Sequence, residues 1–186
     1  MKKILLLLAM VIVVSMVSLS CQVGSDSKKN ADDKAEKEAV RALQKLQARV
    51  EVGISYRDYT SALGDAKSEV NLFLQSPGAK KRLELSMAIE KAMRHYQTVT
   101  DVWKWKIDKH DSTIPVDYWL WEFLLKTYPN LKEENSRWWD KLKERDPAFS
   151  NSRSYKPDEI IPDLAMQIVL KEASKELGEA TKLLSQ

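Results

Sequence analysis

Residues 83–107 read LELSMAIEKAMRHYQTVTDVWKWKI, and the spacing of their apolar side chains decides the fold class. These side chains recur at steps of three and four residues, which is the repeat of one face of an α-helix. The face consists of Leu85, Ile89, Ala92, Tyr96, Val99, Trp103 and Ile107. The stretch therefore predicts a long amphipathic helix that buries this face against other helices.

Three further segments carry the same repeat. The first begins near Lys34 and ends near Gly53, and the last begins at Pro162. Between them, Ser55 precedes Asp58 by three residues, a spacing typical of a helix N-cap. The apolar face after this cap consists of Tyr56, Tyr59, Leu63, Ala66, Val70 and Phe73. The face of the last segment consists of Met166, Leu170, Ala173, Leu177, Ala180 and Leu184.

No segment of useful length shows the alternation of apolar and polar residues that is typical of a strand. Four amphipathic helices, some joined by very short connections, predict an all-α fold, an antiparallel four-helix bundle. About 50 residues separate the third and fourth helices, and a connection of that length is expected to have structure of its own. We expect a Trp-rich helical insert at about 108–161, with short helices at 118–127 and 130–145.

The amino terminus has the layout of a signal peptide. Lys2 and Lys3 precede an apolar run that starts at Ile4 and ends before Cys21. The run is shorter than the roughly 20 residues that a membrane-spanning helix needs, and the segment after it is polar. We therefore expect residues 1–20 to be removed.

Cys21 is the only cysteine in the chain. A disulfide would need a second cysteine, and a thiolate metal site would need several ligands at defined spacing. The stretch from Ser18 to Cys21 resembles the lipobox of bacterial lipoproteins, in which the cysteine is acylated. Lipidation of Cys21 is the interpretation that this resemblance implies; the alternatives are secretion with a free thiol and an inner-membrane signal anchor. By the same resemblance, Gln22 rather than Asp favours the outer membrane, facing the periplasm, over the inner membrane.

The mature chain divides into a tether and one domain. Residues 21–33 are rich in Ser, Lys and Asp and predict a solvated tether behind the lipidated cysteine. Residues 34–186 are long enough for a single helical domain with its own core. The signal peptide holds two of the 30 basic residues, which leaves 28 basic residues against 27 acidic ones. This balance excludes the charge pattern of a nucleic-acid-binding protein.

The sequence carries no catalytic, metal-binding or cofactor motif that we recognise. His95 and His110 are too isolated for a haem or metal site, and we expect His95 to be a surface or satisfied histidine. The Ser-x-x-Lys match at Ser25 lies in the tether, where no rigid oxyanion site can form. We therefore predict no catalytic residues, no metal and no cofactor.

All six tryptophans lie between positions 103 and 139. Trp103 and Trp105 are about 200° apart on a helix, so both cannot face one core. One interpretation is that the insert folds back and buries the rings against the bundle. The other is that Trp105 and one of Trp138 or Trp139 stay exposed and bind a partner.

Three segments carry a family resemblance: VGISYRDYTSALGDAKSEVN at 52–71, AMRHYQTVTDVWKWKI at 92–107 and PDLAMQIVLKEASKEL at 162–177. They resemble segments that recur in uncharacterised exported bacterial helical-bundle lipoproteins. The resemblance implies a helical bundle, and it transfers no activity and no functional residue.

The sequence thus predicts a lipid-anchored protein of the bacterial envelope that acts by binding or structural interaction. Its expected partners are the membrane, through the lipid anchor, and an envelope protein or glycan. An envelope enzyme that acts on a cell-wall or glycan substrate is the alternative, and it would need at least two acid, base or nucleophile side chains in one cleft. A third possibility is a ligand-sensing or inhibitor-like partner of another envelope protein.

Overall fold

A computed structural model describes residues 32–109, 112–148 and 156–186 of the chain. In these residues the secondary structure is helical, apart from one isolated antiparallel bridge between Ile114 and Ile160. The prediction of an all-α fold is confirmed. The predicted signal peptide, Cys21 and most of the predicted tether lie outside the described residues.

The first two helices meet at a tight turn. Helix α1 covers residues 32–51, and Gly53 follows it with φ of 88°, a left-handed conformation that costs glycine little because it has no Cβ. Helix α2, Tyr56–Gln75, starts at Ser55, whose hydroxyl accepts a hydrogen bond from the Asp58 backbone N–H at 3.2 Å. The predicted N-cap is therefore confirmed.

A short helix that the sequence pattern did not indicate lies between the second segment and the long helix. Ser76 ends α2 and also caps helix α3, Pro77–Lys81, through a hydrogen bond from the Ala79 N–H. Proline at the first helical position suits a helix start because its missing N–H has no partner there anyway. Helix α4, Leu83–Lys109, is the long helix that the opening stretch predicts.

The remaining helices also match the predicted segments closely. They are α5, Trp119–Thr127, α6, Asn130–Arg145, and α7, Pro162–Leu184. Pro129 occupies the N-cap position of α6 without a side-chain cap, and Pro162 is the first residue of α7.

Contacts at both ends of α4 give the direction of α7 relative to α4, and single contacts connect α1 and α2 to the same region. Helix α7 is antiparallel to α4, because Lys106 near the end of α4 bonds Asp163 at 2.6 Å and Arg82, just before α4, bonds the Leu183 carbonyl. Arg82 also bonds Glu36 of α1 at 2.8 Å. Helix α2 crosses α4 through its first turns, where the Tyr59 hydroxyl donates to the Tyr96 carbonyl at 2.6 Å. The four-helix bundle arrangement as a whole stays a prediction.

The buried face of α4 is wider than its predicted stripe. Leu85, Ile89 and Tyr96 are buried as expected, but Ile107 at the far end is exposed. Additional buried positions on α4 are Ser86, Ala88, Met93, Thr98, Val102 and Trp105. Helices α2 and α7 both pack against α4, and Tyr118 packs on Trp105, so α4 buries more than the predicted stripe.

The buried face of α7 is turned slightly from the predicted one at its amino-terminal half. Ala165 and Val169 are fully buried, whereas Met166 and Leu170 are only partly buried. Small side chains let the backbones of two packed helices approach closely, and alanines recur along the buried face at 165, 173 and 180.

Candidate functional site

A groove lies where the outer faces of α4 and α7 meet the turn between α5 and α6. Its volume is about 660 Å³, compared with about 400 Å³ for the charged cleft between α1 and α2. A volume of this size is within the range of small-molecule sites. The lining residues are Lys91, Arg94, His95, Thr98, Phe123, Thr127, Tyr128, Pro129, Asn130, Glu172 and Glu176. We call this feature the His95 groove.

His95 and Tyr128 form the polar centre of the His95 groove. The His95 Nδ1 lies 2.8 Å from the Tyr128 hydroxyl, and the two ring centroids are 5.5 Å apart. Tyr128 is buried at the end of α5. Its backbone N–H donates to the Leu124 carbonyl and closes the last turn of that helix. The prediction of a satisfied histidine is thus correct for one nitrogen of the ring.

Burial lowers the pKa of His95 below its ordinary value of 6.5. The carboxylates of Glu176 and Glu172 oppose this shift, whereas the positive charges of Lys91 and Lys175 add to it. Burial also raises the pKa of Tyr128. The groove therefore presents a neutral imidazole and a neutral phenol at neutral pH.

Charged side chains of opposite sign line the two helices of the groove. Lys91 and Arg94 are on α4, and Glu172 and Glu176 are on α7. Two of these charges have partners on their own helix: Arg94 bonds Glu90 at 2.5 Å, and Glu172 lies 3.6 Å from Lys175. Among the described residues, Lys91 and Glu176 form no ion pair with each other or with another side chain.

The structure separates the three tryptophans that the sequence singled out for binding. Trp105 is 8% exposed, so the expectation that it stays exposed is wrong; its indole N–H donates to the Thr113 carbonyl at 3.0 Å, and its ring packs on Tyr118. Trp139 is buried at 2% exposure, and its neighbour Trp138 is exposed at 38%. The two rings contact each other edge to face, with their centroids 5.1 Å apart. A binding role for these tryptophans stays a prediction.

Two indole groups, one partly buried and one buried, bond the segment that precedes α7. Trp121 donates to the Asp158 carbonyl at 2.8 Å, and Trp139 donates to the Glu159 carbonyl at 3.3 Å. Asn135 adds two bonds, from its amide to the Glu159 carbonyl at 2.9 Å and from the Ile161 N–H to its oxygen at 3.0 Å. Trp121, Trp139 and Asn135 therefore satisfy backbone groups of a segment without regular structure.

Other site types find no support in the described residues. No group of three or more His, Cys, Asp and Glu side chains there is placed to hold a metal ion. Within 32–109, 112–148 and 156–186, no helix combines the length and apolar character that crossing a membrane requires.

No sequence pattern predicted most residues of the His95 groove. Phe123, Tyr128, Glu172 and Glu176 are far from His95 along the chain and belong to no motif. Comparisons with models of protein families, with curated proteins and with solved structures found no match to this chain.

Proposed function

We propose that this chain is a lipid-anchored protein of the bacterial envelope that binds a ligand in the His95 groove without transforming it. The membrane, through acylated Cys21, and an envelope ligand are its partners. The outer membrane, with the domain facing the periplasm, is the proposed location.

The observation that carries the binding function is the composition of the groove. Phe123, Tyr128 and Pro129 supply apolar surface, and His95 and Tyr128 supply a small polar centre. A mainly apolar concave surface with a few convergent polar groups is the usual form of a ligand site. Both central groups are neutral at neutral pH, so a ligand can be buried against them without leaving an unpaired charge.

An enzyme acting on a cell-wall or glycan substrate is the second candidate, because His95, Glu172 and Glu176 converge on the same groove. Hydrolysis of a glycosidic bond needs two carboxyl groups that flank the bond. Glu172 and Glu176 are one turn apart on α7 and so lie on the same side of the groove. The geometry therefore favours binding over catalysis.

Two statements about the whole chain belong to this proposal. We propose that α1, α2, α4 and α7 are the four helices of an antiparallel bundle and that residues 108–161 are its insert. The chain then belongs with the uncharacterised exported helical lipoproteins that its segments resemble. The pairwise contacts of α4 with α2 and α7 support the first statement.

Ligand retention tests the binding function directly. We expect the protein, isolated under native conditions from the envelope of its own organism, to retain a bound molecule visible as added mass in native mass spectrometry. Thr127→Trp should abolish this added mass, because Thr127 is an exposed groove residue and the larger ring would fill the groove.

The matched control is Lys126→Trp, a neighbouring exposed position that does not line the groove. It should leave the added mass unchanged. If the wild-type protein retains nothing, or if Thr127→Trp retains the same molecule as the wild type, the proposed function is wrong.

A further inference from the structure

The positions of two unpaired charges in the His95 groove, Lys91 and Glu176, indicate the kind of ligand that fits it. Lys91 lies on α4 and Glu176 on α7, and the contacts Lys106–Asp163 and Arg82–Leu183 fix the register of these antiparallel helices. In this register Lys91 lies level with Glu176. A cation and an anion therefore lie at the same level along the two helix axes, on opposite sides of one groove.

The two charges do not neutralise each other, because their side chains are not within ion-pair distance. Opposite charges that face a common cavity without pairing are complementary to a ligand with both an anion and a cation. The apolar surface of Phe123, Tyr128 and Pro129 lines the same groove and suits an uncharged, apolar middle part of the ligand. The groove as a whole has the charge pattern of a zwitterion site.

The separation of the charges restricts the kind of zwitterion. Lys91 and Glu176 come from two packed helices, and we take the usual distance of about 8–10 Å between the axes of packed helices as the scale of the site. The ammonium and carboxylate of a single amino acid are much closer than this. An extended chain advances about 3.3–3.6 Å per residue, so three residues span about 10 Å.

His95 and Tyr128, which are neutral, are available for hydrogen bonds to the peptide groups in the middle of a ligand.

From these observations we infer that the His95 groove binds a short peptide of about three residues with free ends and an apolar central side chain. Lys91 binds the carboxylate of the peptide, and Glu176 binds its ammonium group. This inference depends on the proposed binding function of the groove and adds the ligand class to it.

The test uses one peptide, Ala-Phe-Ala, in four forms: with free ends, acetylated at the amino end, amidated at the carboxyl end, and blocked at both ends. The dissociation constant for the full-length chain in mild detergent is measured by isothermal titration calorimetry. We expect the free peptide to bind best and each blocked end to weaken binding about three- to tenfold, as for the loss of one charge-assisted bond.

Two variants connect each end of the peptide to one side chain. With Lys91→Gln, the free and amidated peptides should bind equally, because the carboxylate has lost its partner. With Glu176→Gln, the free and acetylated peptides should bind equally. Lys126→Gln and Glu179→Gln, which change exposed charges of α5 and α7 outside the groove, should bind all four forms like the wild type.

The inference is overturned if the doubly blocked peptide binds as well as the free one, or if either groove variant discriminates the peptides like the wild type. It is also overturned if no form binds. When no form binds but the native protein still retains a molecule that Thr127→Trp excludes, only the ligand class is wrong. When that retained molecule is missing as well, the binding function fails together with the inference.

Discussion

Two buried tyrosines on neighbouring helices have unequal hydrogen bonding. The Tyr59 hydroxyl donates to the Tyr96 carbonyl at 2.6 Å, but the Tyr96 hydroxyl is buried and has no hydrogen-bond partner among the described residues. Burial raises the pKa of both phenols, so both are neutral at any ordinary pH. A buried polar group without a partner costs free energy, whereas a bonded one contributes a little.

This difference in hydrogen bonding predicts different effects on stability when each tyrosine is replaced by phenylalanine. Tyr59→Phe should lower the free energy of unfolding by about 1 kcal/mol, because it removes a buried hydrogen bond. Tyr96→Phe should leave the free energy of unfolding unchanged or raise it, because it removes an unpaired hydroxyl. Urea unfolding followed by circular dichroism measures both, and each variant is the control for the other. Equal losses in the two variants would contradict the assigned bonding.

The helices as elements could be predicted because their signals are local. The Ser55 cap, Gly53 after α1 and the prolines at 129 and 162 act on the backbone within one turn of themselves, so the sequence contains them directly. The width of the buried face of α4 depends instead on how many helices contact it. The interpretation that Trp105 stays exposed is therefore wrong. Its burial comes from contacts with Thr113 and Tyr118, which lie beyond the end of its helix.

Helix α2 offers a direct test of which face is buried. Leu63 is 9% exposed within the core, whereas Leu72 on the same helix is 59% exposed. Leu63→Asp should lower the free energy of unfolding by several kcal/mol, because it places an unpaired charge among apolar side chains. Leu72→Asp should change it by no more than about 0.5 kcal/mol, as is usual for a surface substitution.

Thermal unfolding monitored by circular dichroism measures the two variants side by side. The same chemical change on one helix controls for helix propensity and net charge. A melting temperature of Leu63→Asp equal to that of Leu72→Asp would show that the buried face of α2 is assigned incorrectly.

At the scale of the whole molecule, the His95 groove exists only because distant segments meet. His95 comes from the middle of α4, Tyr128 from the end of α5 and Glu176 from the middle of α7. Each of these residues taken alone is typical of an ordinary helix surface or helix end, so no local pattern marks it. The sequence could predict the helices that carry the groove, but the groove itself follows from the antiparallel register of α4 and α7.

The last prediction follows from the proposed membrane location, which depends on lipidation of Cys21. An acylated cysteine holds a protein on a membrane because each buried methylene contributes about 0.8 kcal/mol, and several acyl chains together anchor it durably. In the native organism, the wild-type protein should take up a radioactive fatty acid and sediment with the membrane fraction. Cys21→Ala should take up no label and leave that fraction, while Ser25→Ala, which changes a tether residue outside the lipobox-like stretch, should behave like the wild type. Because Ser25→Ala changes a residue close to Cys21 without touching the thiol, it shows whether the effect of Cys21→Ala is specific to the cysteine. Absence of label from the wild-type protein would contradict the lipid anchor, whatever the groove binds.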